Sequence, residues 1–166
     1  MASTHELASL TLTSDVLLKH WQGHRRLTRR VIEAFPEREL FEFSVGGMRP
    51  FAHLALEMLA MASGGIQGLA TRTWPDRDDA TTRAKGVTTK DDLLRLWDAT
   101  THQLDAAWAQ IPPGRFDETD KAFGMWDGPV YAFLLYWIDN EIHHRGQGYV
   151  YLRALGIEPP PFYERT

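Results

Sequence analysis

The chain has no cysteine among its 166 residues, which excludes a disulfide framework and a thiolate metal site alike. Any metal must therefore be held by nitrogen and oxygen. No apolar run reaches the roughly 20 residues that a membrane-spanning helix needs. The stretch from Met1 to Leu12 is polar, contains His5 and Glu6, and does not fit a secretory leader. A soluble cytoplasmic protein with no membrane partner is the expectation. Basic charge is also short: 18 Lys and Arg stand against 22 Asp and Glu, a net charge of −4. Nucleic-acid binding needs a dominant positive footprint, so it is not expected here. The local cluster Arg25, Arg26, Arg29 and Arg30 is interspersed with Leu27 and Val31 and reads as a solvated helix face. Strand alternation, internal repeats and a domain linker are all missing.

What remains is a globular composition, 43% hydrophobic, in a chain of one-domain length. Four helices are expected at 3.6-residue spacing. The first runs from about Ser14 to Phe35, with Ser14 or Asp15 as its cap and Val16, Leu27, Val31 and Ala34 as its apolar stripe. The second starts at Pro50 and runs to about Leu69, its last turns weakened by Gly64-Gly65. The third follows Thr89, a good N-cap, and ends near Ile111 before Pro112-Pro113. The fourth spans about Pro129 to Leu155 and stops at Gly156. The fold class is all-α, a single four-helix bundle domain over residues 1–166. Two long connections, Thr71 to Thr89 and Pro112 to Gly128, carry Trp74, Phe123, Met125 and Trp126. Such segments can wall a pocket or simply cap the core.

The fourth helix holds the densest chemistry: Asn140-Glu141-Ile142-His143-His144-Arg145-Gly146-Gln147. Burying such groups unpaired costs several kcal/mol each, roughly, so an inward set points to a ligand or to mutual pairing. At 100° per residue the apolar face centres on Trp137, His144, Gly148, Tyr151 and Leu155. Asn140 and Glu141 lie to its two sides, and His143 points away. On the second helix, His53 and Glu57 are one turn apart and share a face with Ala60, Met61 and Gly64. On the first, His20 and His24 form a further i, i+4 pair, usable as a chelate or as hydrogen-bonded core. Gly146 reads as a place where a neighbouring helix can come close, and Arg145 and Gln147 as structural hydrogen-bonding groups.

The run from Asn140 to Gln147, followed by Tyr151-Leu152-Arg153-x-Leu155-Gly156, resembles the C-terminal signature of the DinB/YfiT-like family. That signature reads approximately His-x-x-His-His-Arg-Gly-Gln, and Asn140 stands where its first histidine would be. The likeness extends to a Leu17-Leu18 … Arg25-Arg26-Leu27 opening and a Trp126-Asp127-Gly128 entry into the last helix. It implies a metal-dependent bundle protein with ligands at His53, Asn140 and His144, holding zinc, nickel, iron or manganese. It also implies a small-molecule substrate, a low-molecular-weight thiol cosubstrate in transferase or isomerase members, hydrolysis as another chemistry, and a homodimer. With asparagine in place of histidine, three arrangements are open. Asn140 can bind through its oxygen. Glu141 can take its place, as in the Glu-x-x-His pairs of bundle metal sites. Or the site is metal-free, with Asn140, His144 and His53 bonded to one another or to water, in a non-catalytic or stress-associated binding protein. Glu57 is either a further ligand or the group that orients His53.

Overall fold

The computed structural model describes residues 12–76 and 86–166. His5, Glu6 and residues 77–85 of the connection from Thr71 to Thr89 lie outside the described residues. Among the described residues five helices build the bundle: α1 (Ser14–Ala34), α2 (Glu37–Glu42), α3 (Phe51–Thr71), α4 (Lys90–Trp108) and α5 (Val130–Ala154). The short α2 follows Pro36 and was not expected; its six residues are too few to show a helical period. Thr13, rather than Ser14 or Asp15, caps α1, its hydroxyl accepting from Val16 N at 3.3 Å. Thr89 caps α4 as expected, accepting from Asp92 N at 3.1 Å. Gly156, at φ +75°, closes the last helix. No helix among the described residues is long and apolar enough to cross a membrane.

The connection between α4 and α5 carries a 3₁₀ turn (Arg115–Asp117) and an antiparallel hairpin, although no strand was expected. Strands β1 (Thr119–Ala122) and β2 (Trp126–Pro129) pair with Thr119 opposite Pro129 and Ala122 opposite Trp126. Strands of four residues are too short for alternation to be legible. The buried Arg115 pins this segment to the end of α3, donating to Leu69 O at 3.2 Å and Gly68 O at 3.1 Å and pairing with Asp120.

Gly64-Gly65 do not fray α3, because its glycines receive aromatic rings. A Cβ at Gly65 would stand 2.7 Å from the Trp137 ring, and one at Gly68 only 2.1 Å from Trp74. On α5 the close approach lies at Gly148, where a Cβ would meet the Phe51 ring at 2.5 Å. Gly146, expected to fill that role, faces open space instead, because it lies on the exposed side of the helix.

The apolar core forms two clusters. One gathers Val31, Phe35, Phe51, Leu54, Leu93, Trp97 and Tyr151. The other gathers Trp21, Ile66, Leu69, Leu104, Leu134, Trp137 and Ile138. Between them, at mid-height on α1 and α5, runs a buried polar layer: His24, Arg25 and Thr28 against Glu141 and Arg145. Arg25 is thus not solvated. Its guanidinium lies 3.6 Å over the Trp97 ring, donates to Trp97 O at 3.1 Å, and faces Glu141 at 3.8 Å. Burial pulls its pKa down to about 10 against the opposing pull of Glu141.

Candidate functional site

Helices α3 and α5 run antiparallel: Phe51 meets Gly148, Glu57 meets His144 and Asn140, and Gly65 meets Trp137. The middle level of this seam holds the polar constellation. Glu57 Oε1 lies 3.1 Å from His144 Nε2 and 3.5 Å from Asn140 Nδ2. Its other oxygen accepts from Arg49 Nη2 at 2.5 Å. Burial works against the Glu57 carboxylate, but the hydrogen bonds from Arg49 and His144 outweigh it and hold its pKa below the usual range. Arg49 is itself anchored, its carbonyl accepting from the Tyr151 hydroxyl at 2.9 Å.

His144 is held from both sides. Its Nδ1 lies 2.7 Å from Gln147 Oε1, and Gln147 Nε2 reaches only the sulfur of Met48, at 3.2 Å. With its proton on Nε2 the neutral ring donates to Glu57; with the proton on Nδ1 it donates to Gln147, and Nε2 turns a lone pair toward the carboxylate. In the second form two acceptors stand 3.1 Å apart, an arrangement that a cation between them would satisfy. Asn140 adds a second unmet acceptor. Its Nδ2 donates to Glu57, while its Oδ1 is buried with no partner among the described residues. Buried acceptors are seldom left so. Together these features fit a divalent ion on His144 Nε2, Glu57 and the Asn140 carboxamide, a set rich in oxygen. The imidazole would then donate through its other nitrogen, the usual support of a ligating histidine.

His53 is not drawn in. It is exposed, one turn before Glu57, with no polar partner among the described residues. Among those residues, no three His, Asp or Glu side chains converge closely enough to hold an ion. His143 is exposed, as expected. Glu141 does not stand in for the missing histidine, because it faces α1 and accepts from Thr28 Oγ1 at 2.7 Å and Trp21 Nε1 at 3.4 Å.

The pair on α1 is no chelate either. Both nitrogens of His24 face arginine donors, Nδ1 the Arg145 Nη2 at 2.9 Å and Nε2 the Arg165 Nη1 at 3.2 Å, and Nε2 also lies 3.2 Å from His20 Nε2. Two guanidinium groups on the ring oppose a metal cation there. Burial first, then Arg145, Arg165 and His20, push the His24 pKa down to about 3.

Two residues at the site carried little sequence signal. Arg49 precedes the helix on which its carboxylate partner lies, outside any i, i+4 pattern. Glu57 was expected to orient His53 or to join as an extra ligand, and instead sits at the centre. An inward carboxylate with no cation one turn away was the available clue.

Residues 5–166 match the model of the DinB family. Among solved structures, a DinB-like protein from Bacillus subtilis superposes with a TM-score of 0.72 at 19% identity, over 90% of this chain and 99% of that one. A DinB-like protein from Bacillus cereus gives 0.71 at 17%, over 90% and 97%. A mycothiol-dependent maleylpyruvate isomerase gives 0.62 at 17%, over 82% of this chain and 61% of its own. No curated protein matches the chain in sequence.

Proposed function

The chain belongs to the DinB family, and from that premise we propose that it is a small-molecule enzyme whose chemistry takes place in the seam between α3 and α5, at Glu57, Asn140 and His144. The observation that carries this reading is the meeting of Glu57 Oε1 with His144 Nε2 at 3.1 Å beside the unpartnered Asn140 Oδ1. These residues would hold a divalent ion: zinc, nickel, iron or manganese. When bound, the ion supplies Lewis acidity that lets water or a thiol lose a proton near neutral pH. The chain's own part is positioning. Arg49 keeps Glu57 charged and fixed, Glu57 and Gln147 orient the His144 ring, and burial keeps bulk water from that ring. The reaction class is transfer or isomerisation with a low-molecular-weight thiol, in keeping with the isomerase that shares the fold, with hydrolysis of a small substrate next.

Metal content of tag-free protein by plasma mass spectrometry tests the reading, together with Asn140→His and His144→Ala. Stoichiometric metal in the unmutated protein, lost in His144→Ala without loss of helicity, is expected. No metal in the unmutated protein would sink it, whatever Asn140→His takes up. A second reading, a metal-free binding protein, is favoured by the exposed His53 and by the lack of three converging His, Asp or Glu among the described residues. It predicts no metal in the unmutated chain but uptake by Asn140→His. A homodimer belongs to the same proposal, and a monomer mass by light scattering at micromolar concentration would remove it.

A further inference from the structure

One helical turn along the seam from Glu57 and Asn140, the character of the surface changes. Met61 follows Glu57 on α3, and Tyr136 and Trp137 precede Asn140 on α5, a displacement of about 5.4 Å. Here a cavity of about 310 Å³ opens, lined by these three residues and by Ala122, Phe123 and Trp126 of the hairpin. Its volume is at the lower end of the range for small-molecule sites, which are likewise mostly apolar with a few convergent polar groups at one edge.

The hairpin is shaped to make this wall. Phe123 is held at φ +54°, the left-handed region that a bulky residue seldom enters. Its ring stands against Gly64, where a Cβ would meet it at 2.7 Å, and packs with Trp74 at 5.3 Å and Trp126 at 6.1 Å. Strain of this kind persists where the surroundings over-determine it, often beside a ligand. Trp126, at 45% exposure, and Tyr136, at 56%, leave aromatic surface uncovered at the cavity's rim.

We propose that this cavity seats the apolar, ring-sized body of the small molecule whose polar end lies at Glu57, Asn140 and His144. The substrate class is thus amphipathic: a planar aromatic or compact hydrocarbon group joined to a polar function about one helical turn away. The proposal rests on the assignment of the polar end made above, but its test does not.

The test is a fluorescence titration of the full chain with N-phenyl-1-naphthylamine, a neutral aromatic probe that brightens in apolar surroundings. Saturable single-site binding is expected. Trp126→Ala should weaken it about fivefold or more, since an aromatic contact is lost, and Met61→Trp should abolish it by filling the space. Circular dichroism and thermal melts confirm that each variant is folded, and Trp126→Ala, at a half-exposed position, serves if Met61→Trp does not fold. No saturable signal, or equal affinity in the unmutated chain and a folded variant, overturns the proposal. Cavity-dependent binding in a protein free of metal would uphold the cavity and sink the metal reading. Stoichiometric metal without probe binding would do the reverse.

Discussion

Two glycines two residues apart on α5 should respond in opposite directions to the same substitution. Neither has a positive φ, so alanine is conformationally allowed at both. In a helix interior it gains about 1 kcal/mol over glycine through backbone entropy. At Gly146 nothing lies within 4 Å of the new methyl, so that gain stands alone. For a chain of this size it raises Tm by about 2–4 °C. At Gly148 the methyl would sit 2.5, 2.8 and 2.9 Å from three atoms of the Phe51 ring, well inside the ~3.5–4.0 Å of carbon contact. Phe51 is fully buried and stacked on Phe35 with centroids 4.9 Å apart, so it has nowhere to go. Three contacts this short against a ring that cannot move put the overpacking cost at about 2–3 kcal/mol, the upper part of its usual range. After the propensity gain, the net loss is about 1–2 kcal/mol, and Tm falls by about 3–6 °C. Thermal melts followed at 222 nm, with urea titrations as a second measure, read both effects. The reasoning fails if Gly148→Ala is neutral or stabilising. It fails equally if Gly146→Ala lowers Tm, since that would mean the face drawn as open is covered.

Three further outcomes follow from the buried polar layer and the site. His24 is protonated in the unfolded chain below its ordinary 6.5 but in the folded chain only below about 3. The unfolded state therefore binds more protons across that window, and stability falls as pH drops through it, by up to about 1.4 kcal/mol per pH unit. The Tm of His24→Gln should fall less steeply between pH 6.5 and 4, and parallel slopes would refute this. Glu141→Gln leaves the buried Arg25 and Arg145 without their counter-charge and should cost about 3 kcal/mol in urea unfolding, whereas a loss below about 1 would show the pairs to be nearly neutral. Arg49→Met removes the main hydrogen bond holding the Glu57 pKa down, so that pKa should rise, shifting acid-side ligand or metal release to higher pH; an unchanged pH midpoint would show that Arg49 does not set it.

Much of the bundle was readable because its signals are local. The Thr89 cap, the stop at Gly156, and the inward run Trp137, His144, Gly148 and Tyr151 depend only on neighbours within a turn or two. What was not readable depended on partners far along the chain. Arg25 looked like one of four solvated arginines because Trp97 and Glu141, which make its burial tolerable, lie on other helices. The close approach was expected at Gly146 and lies at Gly148, because helical period places a glycine on the inward stripe without saying which residue of the facing helix meets it. The hairpin escaped because its strands are four residues long and its turn opens on a phenylalanine at positive φ, leaving Gly124 alone to mark it. At the site, His144 and Asn140 were legible from their position beside the apolar stripe. The central place of Glu57 was not, since it follows from Arg49 being carried across the seam by the Tyr151 hydroxyl.

The signature on α5 divides its work between the two flanks of one helix. Glu141 and Arg145, one turn apart, face α1 and close the polar layer with Thr28 and His24. Asn140 and His144, also one turn apart, face α3 and meet Glu57. A change on one flank leaves the hydrogen bonds of the other untouched, so replacing a histidine by asparagine at position 140 alters the chemistry of the seam without loosening the bundle. Gln147 is the hinge between the two roles: it sits one turn after His143 and touches no buried charge, yet it fixes which nitrogen of His144 faces Glu57. Gln147→Leu removes one hydrogen bond to a mostly buried ring and should therefore lower Tm by only about 2–4 °C, about 1 kcal/mol. It should weaken whatever binds at Glu57 and His144 by roughly tenfold or more, the size seen when a group that orients a ligating histidine is lost. Isothermal titration with zinc or manganese would measure that loss, and unchanged affinity would show that the ring needs no such support.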